Sequence, residues 1–144
     1  YVGEDVVTRQ LDKTRIQLLR NATGTAGTFQ IIGIDDAESR TQVETVMPTI
    51  KLQSKKIKIL IYHRPDSVAY AAKQGIDLML CGHTHGGQLF PFTILIRYAF
   101  KHFKGLYRIN NMWLNVSSGT GRWGPRMRLG TGNEICVLKL QADK

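Results

Sequence analysis

Residues 56–88 read KIKILIYHRPDSVAYAAKQGIDLMLCGHTHGGQ. Lys56 to Tyr62 ends in an almost unbroken apolar run, the pattern of a parallel strand covered on both faces. Asp66 to Gly75 reads as a short helix. Asp66 or Ser67 would be its N-cap, and Gly75 sits where a C-terminal glycine belongs. Ile76 to Cys81 reads as the next buried strand. The three segments make one strand–helix–strand unit, which sets the fold class as α/β.

A crossover between parallel strands is right-handed and returns the chain to the same end of the sheet. The loops after Tyr62 and Cys81 should therefore lie side by side at the carboxyl ends of neighbouring strands, where open α/β sheets place ligands. On that argument His63 is expected beside His83 and His85. Pro65 holds Arg64 to extended geometry, and the glycines at 82, 86 and 87 permit turns that a Cβ resists. Neutral imidazole is a good ligand for Zn, Fe and Mn. One such histidine would read as a hydrogen-bonded loop residue; three converging on a Gly-rich turn read as a partial metal site. His102, alone in a basic stretch, reads as a surface helix residue.

Outward from this unit, residues 5–20 read as an amphipathic helix, with Val7, Leu11 and Leu18 on one stripe. Asn21 to Gly27 reads as a polar break. Phe29 to Ile34 is a strand ending in Asp35-Asp36, a pair suited to a turn or helix cap. Residues 39–51 read as a helix that Pro48 kinks or ends. Beyond the histidines, residues 89–104 are apolar and basic, and residues 107–109, 112–117 and 134–140 read as strands of an antiparallel section. No linker, repeat or low-complexity tract interrupts residues 1–144, so a single domain is expected.

The chain has 144 residues, 42% apolar and 22% charged, ordinary values for a globular domain. No apolar stretch reaches the roughly 18 residues that span a bilayer. A net charge of +9 favours anionic partners: phosphorylated substrates, nucleic acid or anionic lipid. A basic solvated surface is the plainer explanation. Cys81 and Cys136 have no CxxC partner and read as buried free thiols in a reducing compartment.

The order His63-Arg-Pro, then Gly82-His83-Thr84-His85-Gly86-Gly87-Gln88, then Gly119-Thr120-Gly121, Trp123-Gly124-Pro125, Arg126, Arg128 and Glu134-Ile135 resembles the calcineurin-like metallophosphoesterases. It is most similar to a bacterial branch whose members are often membrane-associated. The resemblance implies two packed mixed sheets flanked by helices, an αββα sandwich of which these residues supply the C-terminal half. It implies two metal ions, divalent or trivalent (Mn, Fe or Zn), with His63 and His83 on one and His85 on the other. It implies hydrolysis of a phosphomonoester, phosphodiester or pyrophosphate, in a small molecule or a lipid. In such a mechanism the ions activate water and stabilise the attacking and leaving oxygens.

The family's Asp-x-His, Gly-Asp and Gly-Asn-His-Asp motifs do not occur in the 144 residues. Tyr1-Val2-Gly3 fits a start just after the last of them. The expectation is therefore a fragment that binds metal weakly, carries no catalytic residue of its own, hydrolyses little, and self-associates through a face its missing half would cover. Arg64, Arg122, Arg126 and Arg128 are candidate phosphate-binding residues; the alternative for the Gly-rich loop is a solvated basic surface. Thr93 to Tyr107 alternates apolar and basic groups. It reads either as a surface helix with its apolar face on the core or as a contact with an anionic membrane. The expected location is the cytoplasm, or the cytoplasmic membrane face if spans precede these residues. The competing classes are a non-catalytic scaffold and a basic nucleic-acid-binding module, the latter without any recognised motif.

Overall fold

In the computed structural model, residues 4–141 are described. Among them, six strands form one mixed sheet in the order β1-β2-β3-β4-β6-β5. The strands are β1 Ala22–Ala26, β2 Phe29–Gly33, β3 Ile57–Ile61, β4 Leu78–Cys81, β5 Gly105–Ile109 and β6 Met112–Val116. β2, β3, β4 and β6 run parallel, and β1 and β5 close the edges antiparallel. The helices are α1 Glu4–Leu11, α2 Gln42–Val46, α3 Val68–Lys73 and α4 Phe92–Ala99. This is the α/β, mixed-sheet architecture expected, with β3–α3–β4 as its central crossover.

The core lies on one face of the sheet. Ile32, Leu60, Tyr62, Met79, Cys81, Leu114 and Val116 project from it and meet Val43, Val46 and Met47 around α2 and Val68 and Ala71 of α3. Alternate residues point the other way. Ile57 and Ile61 of β3 are 42% and 48% exposed. β3 is thus covered on one face by the described residues, not on both. The opposite face forms a shallow groove lined by Ile59, Ile61, Leu78, Leu80 and Asn115, with Leu19, Cys136, Leu138 and Leu140 along its margins.

Several boundaries differ from those read in the sequence. α1 ends at Leu11 instead of running to residue 20. The Thr14 hydroxyl bonds to the Leu11 carbonyl (2.7 Å) and takes the Ile16 N–H (3.1 Å), offering the backbone an alternative to the helix. The segment read as a polar break contains β1, paired to β2 around a tight Gly27-Thr28 turn. Gly27 there has φ +56°, which suits glycine. α2 passes into a 3₁₀ turn, Met47–Thr49, at Pro48, as a proline lacking its N–H dictates. Residues 134–140 form no strand: Cys136, Leu138 and Leu140 border the open groove without a backbone ladder. The two cysteines also part company, Cys81 being buried and Cys136 exposed.

Candidate functional site

The histidines sit where the crossover argument puts them. His63 follows β3, and His83 follows the adjacent parallel strand β4. The Gly82 N–H donates to the His63 carbonyl at 2.9 Å, tying the two loops together. The Cys81 thiol donates to the Arg64 carbonyl at 3.3 Å. The two imidazole rings meet edge-on with centroids 5.1 Å apart, and His83 also meets Phe100 at 5.6 Å.

The turn that follows is strained. His83, His85 and Gln88 have φ of 69°, 49° and 49°, and Gly86 and Gly87 have 62° and 86°. Non-glycine residues in this region store energy that the surroundings must hold, and they cluster at functional sites. Thr84 supports the turn by donating its hydroxyl to the Phe103 carbonyl and accepting the Gly86 N–H. A Cβ at Gly87 would lie 2.7 Å from the Phe92 carbonyl oxygen, so only glycine lets α4 approach this closely.

Gln88 is 3% exposed and clamps the Gly-rich loop. Its amide donates to the Trp123 carbonyl at 2.6 Å, and its Oε1 accepts the Trp123 N–H at 2.7 Å. Within the sequence it is visible only as the last letter of the motif. In the fold it positions residues 121–131 over the histidines. Arg128 holds the same loop from the other side of the turn. Its guanidinium donates to the carbonyls of Ser118 (2.8 Å), Gly121 (2.5 Å) and His85 (3.3 Å), among others.

The histidines face a cleft of about 730 Å³ between the strand ends, α4 and the Gly-rich loop, lined also by Asp36, Arg64, Phe92, Ile96, Arg122 and Trp123. Of the four arginines singled out in the sequence, Arg122 lines this cleft, and so does Arg64. Its fork is engaged by Asp36, with Nε–Oδ1 at 2.7 Å and Nη2–Oδ2 at 3.2 Å. Arg128 is occupied by backbone carbonyls, and Arg126 lies outside the lining. Asp35 and Asp36 serve as ion-pair partners of Arg20 and Arg64 and cap no helix. His102 lies beyond the end of α4, its ring against Tyr107 at 4.9 Å.

Burial holds the pKa values of His83 and His85 below the usual imidazole value, helped by His63 for the first and Arg128 for the second. Both rings are thereby biased toward the neutral form that binds metals. The buried Nδ1 of His85 has no hydrogen-bond partner in the protein. The donor chemistry therefore suits a metal. The number of donors does not: among the described residues no group of three or more His, Cys, Asp or Glu side chains is placed to hold an ion. A protein metal site commonly needs three or four ligands, so these residues leave any coordination sphere incomplete.

Comparison with curated proteins accounts for this pattern. The chain is 33% identical over its whole length to an uncharacterized metallophosphoesterase of Campylobacter jejuni, and 32% identical over 97% of its length to one of Helicobacter pylori. The chain belongs to the metallophosphoesterase family. It spans 40% of the length of each of these two relatives. A 36% identical match covers 77% of the chain and 28% of a zebrafish protein named a transmembrane protein with metallophosphoesterase domain. No family model matches the chain, and no solved structure does. Family membership implies divalent metal ions, and His63, His83 and His85 are the imidazoles that line the cleft. No helix among the described residues is long and apolar enough to cross a membrane.

Proposed function

We propose that these residues form the rear wall of a dinuclear-metal phosphohydrolase site, with His63 and His83 offered to one ion and His85 to the other. The observation that carries this reading is the meeting of His63 and His83 at the ends of adjacent parallel strands, 5.1 Å between rings, in a family of metallophosphoesterases. The remaining ligands come from outside the described residues, in keeping with relatives of which the chain spans 40%. The substrate is a phosphate ester or pyrophosphate, and Arg64 and Arg122 border the cleft that receives it. By itself the 144-residue chain binds metal weakly, turns over little, and associates with itself through the open sheet face.

The test uses a longer protein that also carries the sequence encoded ahead of Tyr1. With Mn²⁺ and bis(p-nitrophenyl) phosphate, turnover is expected, and His83→Ala is expected to abolish it above the metal-only blank. Full activity in His83→Ala with bound metal undiminished would overturn the assignment.

A further inference from the structure

Among the described residues, Asp36 is the one carboxylate that lines the histidine cleft. It follows β2 as His63-Arg64 follows β3, and these strands are parallel neighbours. The Ile34 N–H donates to the Ile61 carbonyl at 3.2 Å, so the two loops leave the sheet side by side. The main chain of the second loop is anchored by the Gly82 N–H at the His63 carbonyl and by the Cys81 thiol at the Arg64 carbonyl. Asp36 then holds the side chain. Its two oxygens take Nε and Nη2 of the Arg64 guanidinium in a bidentate fork. Nη1 has no hydrogen-bond partner among the described residues. Arg122, the other arginine of the lining, differs: its Nη1 donates to the Arg126 carbonyl of its own loop, and no described carboxylate holds it.

The side chains of Arg64 and Asp36 are 25% and 37% exposed, and an ion pair this open to water adds little to stability. Its effect is geometric. A free arginine samples many rotamers, and ordering it is part of the cost of binding an anion. A fork closed on one edge of the guanidinium fixes where the other edge lies, and phosphate oxygens are bound through such an edge. Resting on the hydrolase reading above, we infer that Asp36 is a positioning residue for the phosphoryl group: it holds Arg64 so that the free Nη1 edge is in place for a phosphate oxygen before substrate arrives. Charge alone predicts the reverse, since a carboxylate beside the cleft repels an anion. Removing Asp36 therefore weakens phosphate binding if it positions Arg64, and tightens binding if it only offsets the charge.

The experiment uses the longer protein that also carries the sequence encoded ahead of Tyr1, loaded with Mn²⁺. Calorimetry follows binding of inorganic phosphate, beside steady-state turnover of bis(p-nitrophenyl) phosphate. Arg64→Ala is expected to weaken phosphate binding about tenfold or more, the loss of a charge-assisted hydrogen bond. Asp36→Ala is expected to weaken it about two- to tenfold, the cost of ordering one long side chain, with KM rising by the same factor and kcat little changed. Asp36→Asn keeps one acceptor for the guanidinium and is expected to fall between Asp36→Ala and the unaltered protein. In an Arg64→Ala background, Asp36→Ala is expected to cause no further loss. Unchanged or tighter phosphate binding in Asp36→Ala, folded by circular dichroism, would overturn the inference, as would tighter binding in Asp36→Asn. So would additive losses in the double variant. Any of these results with Mn²⁺-dependent turnover intact in the unaltered protein leaves the hydrolase reading standing; absence of that turnover overturns both.

Discussion

The two faces of β3 have nearly the same chemistry and very different surroundings. Leu60 is 0% exposed and Tyr62 1%, whereas their neighbours Ile57 and Ile61 are 42% and 48% exposed. α2 and α3 lie on the first face. Among the described residues, Leu19 and the margin formed by Cys136, Leu138 and Leu140 border the second. An apolar strand thus reports that both of its faces avoid water, without saying which part of a protein covers each one.

The sharpest way to break this comparison is to truncate neighbouring residues. Leu60→Ala is expected to destabilise by about 2–5 kcal/mol, because it opens a cavity in packed surroundings. Ile61→Ala is expected to change stability by less than about 1 kcal/mol. Urea unfolding at a dilution where the chain is monomeric measures both, and equal losses there would show that the chain itself covers the open face. Gly33→Ala tests the one place where the open face is closely packed. A Cβ there would lie 2.7 Å from the Leu19 Cβ and press on the Leu19 carbonyl. It should lift residues 12–20 from β2 and destabilise by about 1–3 kcal/mol, with faster trypsin cleavage at Lys13 and Arg15.

At the end of the sheet, where the faces meet the histidine turn, the contrast is conformational. His83→Gly is expected to be more stable than His83→Ala by about 1 kcal/mol, because φ of 69° suits glycine and strains alanine. Thermal unfolding of the pair checks this, and alanine equal to glycine would remove the strain. The cysteines give the smallest and simplest contrast. Burial pushes the Cys81 thiol up to about 12, so it stays protonated and inert. Cys136 is exposed. Titration with a thiol-reactive disulfide at neutral pH is expected to label one thiol in the folded chain and two after unfolding.

The central unit of the fold was legible because hydrophobic runs, helix caps and crossover handedness all act locally. His63 meets His83 for that reason. What escaped was decided by tertiary context. β1 is a polar, Thr-rich edge strand whose identity comes from pairing with β2. Arg128 looked like a phosphate clamp because a guanidinium fits either phosphate or a row of carbonyls, and only the folded loop shows it among the carbonyls. Gln88 carried no signal apart from its place in the motif, since its partners lie 35 and 37 residues away. α4 was read as a helix with one apolar face on the core; instead its outer face is apolar too.

One open sheet face and one incomplete set of metal ligands share a cause on this account: the described residues form one wall of a site. Turnover of bis(p-nitrophenyl) phosphate by the 144-residue chain in Mn²⁺ probes that most directly. The account predicts a rate equal to the metal-only blank; robust Mn²⁺-dependent turnover that is lost in His83→Ala would contradict it.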